Sequence, residues 1–356
     1  MNVKNVPPMR ARLSVVVPVY RVEAYLEQCL DSVVTGDDRV EVIAVDDASP
    51  DRCGEMLDAY AETHPGLRVV HLPQNVGLGL ARNAGLAEAT GDYVWFVDSD
   101  DWVPPGSVAA VLDALAADEP DVLLIDHLRV HEDGRSKPDA SSPLLAGEPT
   151  LERMLAVQHT AWNRIVRREF LLHHGLLFGP GWYEDVSFSH PVLLAADRIA
   201  ALDRVCYLYR IGRPGAITAT RSDRHFEAFE QYDRVLQWVA AHDVAPEARA
   251  QLFTLMISHL LVVAGNEGRM HPGDRRRFFR QTTELYRRHR PAGYRPPSGL
   301  GGLKHRLVAI GAYPVYALLR AGYRVAGLRR RKPGQTASAS AEVTAGPRTT
   351  RSKSII

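Results

Sequence analysis

Cysteine is scarce: the 356 residues hold three, Cys29, Cys53 and Cys206, far apart and without a CxxC pair. That spacing excludes a disulfide framework and a zinc cluster, and it suits a reducing compartment. The first twelve residues, MNVKNVPPMRAR, lack an apolar core of the length a secretory signal needs. No glycine-rich phosphate loop follows the first strand-like run, where Val19-Tyr20-Arg21-Val22-Glu23 stands instead. Net charge is also small, at +1. With 46% hydrophobic and 24% charged residues, the rest has the composition of a globular protein. Its length allows one large domain with an appendage, or two small domains.

The small net charge hides an asymmetry. From residue 300 onward there are 11 Lys and Arg against one acid, Glu342, leaving 32 basic and 41 acidic of the totals 43 and 42 before it. An acidic body with a basic tail suits an anionic membrane or polymer surface, and a solvated tail is the plainer alternative. No nucleic-acid partner is expected.

The chain turns on residues 91–102, GDYVWFVDSDDW. Tyr93 to Val97 is an unbroken apolar run, the mark of a strand buried on both faces. It ends in Asp98, Asp100 and Asp101, with Ser99 between. Carboxylates crowded at the tip of a buried strand repel one another and cost desolvation, which a hard divalent cation such as Mg²⁺ or Mn²⁺ relieves. The alternative is an acidic loop capping the next helix. Around this segment, strand-like runs at 13–19, 40–45, 67–72, 122–127 and 199–209 alternate with helical patterns at 24–34, 55–63, 79–89, 107–117 and 187–196. That alternation predicts an α/β fold with a mostly parallel, doubly wound sheet.

Other features are weaker one by one. The stretch 75–85, NVGLGLARNAG, spaces its glycines unlike a dinucleotide fingerprint. Its Arg82 and Asn83 fit either a phosphate or sugar contact or a surface ion pair. Glu184 and Asp185 open a helix, where acids also serve as caps. The loop 210–224 carries four arginines against one acid and suits an anion. The stretch 132–150 is polar and proline-rich, with room for a hairpin. Helical patterns dominate from 226 on, with a Pro/Gly linker at 294–302 and a helix expected over 303–328. Its uncharged run 307–319 is too short to span a bilayer of roughly 30 Å but suits an interfacial helix.

Taken in order, SVVVPVY, VDDAS, GLGLARNAGL, FVDSDDW and YED resemble the family-2 glycosyltransferases with the GT-A fold, bacterial enzymes of teichoic acid, capsule and exopolysaccharide assembly among them. The resemblance covers residues 13–220. It leaves a helical extension at 221–292, a linker with a basic amphipathic helix at 293–332, and a tail at 333–356 expected to be disordered. It implies an inverting, metal-dependent transfer from a nucleotide-diphospho-sugar, a UDP-sugar first, to a hydroxyl of a polysaccharide, teichoic-acid-like or lipid-linked acceptor. Asp98 and Asp100 then hold Mn²⁺ or Mg²⁺. Pro18, Tyr20 and Asp47 line the base pocket, with Arg82, Asn83, Asp98 and Ser99 also on the donor. Arg210 and Arg213 close over the diphosphate, where the family often has histidine. Asp185 is the general base, with Glu184 orienting the acceptor or the loop.

The expected location is the cytoplasm, peripherally on the inner face of the membrane through residues 303–332. A nucleotidyltransferase and an inactive polymer-binding module are the alternatives.

Overall fold

The computed structural model describes residues 12–131, 135–138, 150–213, 220–330 and 351–354. The chain forms two compact units: Met1–Pro214 with Glu227–Val244 and Thr349–Ile356, and Gly215–Phe226 with Ala245–Arg348.

The first unit alternates strands and helices as the periodicity predicts. In chain order these are β1 (Leu13–Val19), α1 (Leu26–Val33), β2 (Val40–Asp46), α2 (Cys53–Thr63), β3 (Leu67–His71), α3 (Leu78–Glu88), β4 (Tyr93–Phe96), α4 (Ser107–Asp118) and β5 (Val122–His131). Then come β6 (Ser136–Pro138), α5 (Leu151–Ala156), β7 (Arg164–Arg167), α6 (Arg168–His173), α7 (Glu184–Ala195), β8 (Arg198–Ile211) and α8 (Glu227–Ala241). A last strand, β9 (Arg351–Ser354), pairs antiparallel with β8, inside the tail expected to be disordered. Residues 331–350 lie outside the described residues.

The sheet order is β3-β2-β1-β4-β7-β5-β8-β9, with β6 paired to β5. That pairing gives the expected hairpin in the stretch 132–150, most of which is not described. β1 pairs in parallel with both β2 and β4. The chain therefore leaves β1 toward one edge and later returns to its other side. Such a switch point opens a crevice at the carboxyl ends of the strands. Every residue of β1 and β4 is buried, as continuous Val, Tyr, Trp and Phe runs require. The antiparallel β7 between β4 and β5 is a strand that the mixed sequence WNRIVRREF conceals.

Two glycines explain the NVGLGLARNAG stretch. A methyl group at Gly85 would lie 2.4 Å from Val16 Cγ1, so α3 rests on β1 only because that position is bare. At Gly79 it would meet the Gly179 carbonyl at 2.6 Å and Glu184 Cγ at 2.9 Å, so the same helix also lies close against the start of α7. The glycines serve close packing, as their spacing also excludes a dinucleotide fingerprint.

The second unit is helical: α9 (Pro246–Gly265), α10 (Arg275–His289), α11 (Gly299–Ile310) and α12 (Tyr313–Arg330). The single helix expected over 303–328 is thus two. Gly311 adopts φ +74°, closing α11, and Pro314 sits at the start of α12, where its missing N–H costs nothing. Among the described residues, α9 alone is long and apolar enough to cross a membrane by length and composition, and half of that window is buried in the protein.

Within this unit His305 is buried, 3.1 Å from Ser258 Oγ through Nε2 and 3.0 Å from Tyr294 Oη through Nδ1. Burial disfavours the imidazolium and pulls its pKa down to about 4 from the ordinary 6.5. Below pH 6.5 the unfolded chain therefore takes up a proton that the folded unit refuses. Stability is full above 6.5 and falls toward pH 4, by up to about 1.4 kcal/mol per pH unit. Hydrogen exchange of α9 and α11, measured across this range, should show protection declining with acid, and the slope should flatten in His305→Gln. Protection independent of pH would contradict the assignment.

Candidate active site

The acidic cluster lies where the strand pattern puts it. One carboxylate oxygen each from Asp98, Asp100 and Asp101 falls within 4.8 Å of the others. β8 holds this turn from the side. Tyr207 Oη accepts from the Asp98 backbone N–H at 3.1 Å and donates to Asp101 Oδ2 at 2.8 Å, while the Arg210 N–H donates to Asp101 Oδ1 at 2.7 Å. Asp101 is buried, with both oxygens engaged, so it ties the turn to β8. Asp98 and Asp100 keep 20% and 17% of their side chains exposed and are the two able to reach a ligand. Tyr207 went unread in the sequence. The available signal was a tyrosine inside a strand expected to be buried, whose hydroxyl must find a partner.

Arg82 joins the two acidic sites. It is 0% exposed, with Nη2 2.6 Å from Asp98 Oδ1 and Nη1 2.7 Å from Glu184 Oε1 and 2.8 Å from Asp185 Oδ1. Its guanidinium also lies over the Phe178 ring, at 5.2 Å. Burial works against its charge, but Asp185, Asp98 and Glu184 outweigh burial and hold its pKa above the usual value. In this structure the guanidinium expected at the diphosphate is enclosed and bonded to carboxylates.

Some of the other residues expected at the donor already have partners in this structure. Asn83 is committed to Phe178, donating to its carbonyl at 2.9 Å and accepting from its N–H at 3.0 Å. Pro18 is buried in β1, in register with Val45. Arg210 braces the turn: Nε donates to the Asp100 carbonyl at 2.8 Å and Nη2 to Gln28 at 2.7 Å, between the rings of Tyr25 and Trp102, each 4.7 Å away. Arg213 Nε pairs with the Asp100 carboxylate. Ser99 is buried within the turn. Tyr20 is half-exposed beyond the end of β1. Asp47 is buried at the end of β2 and accepts from Val76 N–H at 2.7 Å, Gly77 N–H at 2.9 Å and Asn75 Nδ2 at 2.9 Å. A carboxylate offers about four acceptor sites, so one remains.

At the start of α7, Glu184 and Asp185 differ in access, with 5% and 22% of their side chains exposed. Burial, and then the charge of Asp185, push Glu184 up to about 8. Burial also raises Asp185, while Arg82 opposes it. Behind them Arg164 is fully buried and donates to the carbonyls of Ser189 and Gln158, with burial pulling its pKa down to about 10. Burial raises Asp100 too, Arg213 lowers it and Asp98 raises it again. Two accessible carboxylates on one rigid turn form a hard-oxygen donor set that fits Mg²⁺ or Mn²⁺. The cleft combines an acidic turn able to take a cation, the Arg213 guanidinium beside it and a carboxylate pair, which together suit displacement of a diphosphate with proton removal.

Comparison with known proteins agrees with this chemistry. Residues 14–172 match the family described as Glycosyl transferase family 2. The uncharacterized glycosyltransferase EpsJ of Bacillus subtilis (strain 168) is 29% identical over 265 residues, covering 70% of this chain and 76% of EpsJ. The poly(ribitol-phosphate) beta-N-acetylglucosaminyltransferase TarS of Staphylococcus aureus is 31% identical over 210 residues, but only 57% of this chain and 36% of TarS are aligned. The crystal structure of TarS 1-349 in complex with UDP-GlcNAc superposes with a TM-score of 0.71 at 22% identity, over 88% of this chain and 92% of that one. The mannosyltransferase PcManGT of Pyrobaculum calidifontis, in complex with GDP-Man and Mn²⁺, gives a TM-score of 0.50 at 20% identity, over 86% and 87%. These likenesses carry the GT-A fold. Residues 14–172 thus form a domain that matches the model of glycosyltransferase family 2.

Proposed function

We propose that this enzyme moves a sugar from a UDP-sugar to a hydroxyl of a cell-surface polymer, either a polyol-phosphate chain or a polysaccharide, with inversion at the anomeric carbon. The observation that carries the proposal is the shared guanidinium: Arg82 bonds Asp98 on one side and Glu184 and Asp185 on the other. In this reading one guanidinium holds the diphosphate side and the base side of the cleft next to each other. The names of EpsJ and TarS support a glycosyl donor and, in TarS, a polyol-phosphate acceptor.

In this reading the uridine lies over Tyr20, with the remaining acceptor site of Asp47 toward the base. A divalent ion on Asp98 and Asp100, Mn²⁺ or Mg²⁺, supplies charge neutralisation to the departing diphosphate. Arg213, beside Asp100, adds a second positive charge there. Asp185 is the better base because it is the more exposed of the pair, and it takes the proton of the attacking hydroxyl. Glu184, whose carboxyl is pushed upward by burial and the charge of Asp185, holds the start of α7 against Arg82. A single base with one in-line attack inverts the centre. A cytoplasmic location belongs to the same reading.

A screen of UDP-, GDP- and TDP-sugars for slow hydrolysis tests the donor class without knowledge of the acceptor. Turnover of UDP-sugars should dominate, and exhaustive dialysis against EDTA should abolish it. Full activity in EDTA would remove the metal from the proposal. Asp185→Asn should keep donor binding within about twofold and lose transfer by roughly 10² or more, since the amide matches the shape but cannot take a proton. A dead Glu184→Gln beside a nearly normal Asp185→Asn would reverse the assignment of the pair.

Tyr207→Phe removes the link between the Asp98 N–H and Asp101. A buried hydrogen bond lost in this way costs about 1–3 kcal/mol, so the metal concentration for half-activity should rise about tenfold or more. Turnover at saturating metal should change far less. An unchanged metal requirement would mean that Tyr207 does not support the turn.

A further inference from the structure

The helical unit carries an apolar face that points outward. From residue 311 to 322 the exposed positions are Gly311, Pro314, Val315, Leu318, Ala321 and Gly322, and none is polar. Leu318 is 74% exposed, and Ile310, at the elbow between α11 and α12, is 70% exposed. The opposite face of α12 is fixed inward. Tyr316 is buried and donates to the Leu261 carbonyl at 3.2 Å, and Arg320 donates to the Gly265 carbonyl and to Glu267, each at 3.1 Å. An amphipathic helix normally turns its apolar stripe to the core, so anchoring α12 by its polar contacts leaves that stripe for a partner. This corrects the expectation that Leu307 serves as a membrane contact, because Leu307 is buried within the unit.

Charge identifies the partner. Between residues 285 and 330 the sequence has ten Lys and Arg and no acid. Arg287 lies at the elbow itself: Nε donates to the Ala309 carbonyl at 3.1 Å, and Nη2 is 3.5 Å from where a Gly311 side chain would begin. Arg306 is exposed on α11. A second copy of this chain would set the same cations against one another, whereas an anionic lipid surface offers both hydrocarbon for the stripe and headgroups for its basic rim.

We infer that the α11–α12 elbow, with Ile310, Val315 and Leu318 facing out and Arg287 and Arg306 beside them, docks the enzyme on an anionic bilayer. The inference is independent of the sugar transferred. Its test uses no turnover, so its failure would leave the glycosyl-transfer reading in place.

Flotation of the full chain with vesicles of mixed phosphatidylglycerol and phosphatidylcholine, against pure phosphatidylcholine, reads it directly. The wild type should float with the anionic vesicles and lose binding as salt rises, since screening weakens the headgroup attraction. Ile310→Asp with Leu318→Asp should weaken binding at least tenfold, and Arg287→Glu with Arg306→Glu severalfold. Leu318→Trp, at an exposed position, should tighten binding and guards against loss through misfolding. Three results would overturn the inference: equal flotation of wild type and the Asp variant, no flotation of the wild type at low salt, or equal binding to neutral vesicles. A sedimentation analysis in which the Asp variant changes a dimer to a monomer would overturn it as well, by giving the face to a second copy.

Discussion

One buried cation organises the catalytic unit. Arg82 has no exposed surface, and its charge is held there by carboxylates that surround it closely. Asp98, Glu184 and Asp185 do so from the β4 turn and the start of α7, elements far apart in sequence that one side chain holds together. Removing Arg82 would leave three partly or fully buried carboxylates without their shared partner. Removing one carboxylate would instead loosen a geometry that the other two still hold. The packing of α3 follows from this constraint, since bare positions at Gly79 and Gly85 let the helix lie close enough for Arg82 to reach both acidic groups.

The charge balance around Arg82 also argues for a ligand. Asp98, Asp100, Asp101, Glu184 and Asp185 meet the guanidiniums of Arg82 and Arg213, while Arg210 is drawn aside to Gln28, Tyr25 and Trp102. Burial and mutual repulsion raise Asp100, Asp101, Glu184 and Asp185 together, the response of a site with surplus negative charge. A divalent cation and a proton on Glu184 both relieve that surplus. In the proposed transfer the first would lie on the leaving-group side and the second on the acceptor side, so one electrostatic excess would serve both halves of a displacement.

Hydrophobic period and motif order made most of the fold legible in the sequence. Continuous apolar runs marked the central strands, and their acidic ends marked the cleft. Side-chain direction was not legible. Arg82 and Asn83 stand side by side in sequence, yet one enters a carboxylate cage and the other clasps the backbone of Phe178. Arg210 and Arg213 belong to one basic stretch but reach a carbonyl and a carboxylate of the same Asp100. Tyr207 acquires its role from the register that brings β8 beside the β4 turn, a long-range pairing no local pattern encodes. The break at Gly311 and Pro314 was visible as residue types, but a helical run on both sides outweighed them.

Backbone strain gathers at the rim of the cleft. Among the described residues, Arg21, Ala48, Glu119 and Tyr183 are the non-glycine positions with positive φ, and three of the four follow β1, follow β2 or precede α7. Each such conformation costs on the order of 1–3 kcal/mol and persists only where neighbours determine it. Those neighbours are present. The Arg21 N–H donates to Ser49 Oγ at 2.8 Å, Ser49 N–H to Asp46 Oδ1 at 2.9 Å, and Trp182 N–H to Glu227 Oε2 at 2.6 Å. The last contact makes α8 part of the catalytic unit, although it follows the Arg-rich loop in sequence. A rim held this way loses little further freedom on closing around a nucleotide, so the strain is an expression of preorganisation. The left-handed turn at Tyr183 directly precedes the Glu184–Asp185 pair, and it sets the direction in which α7 presents those two carboxyls.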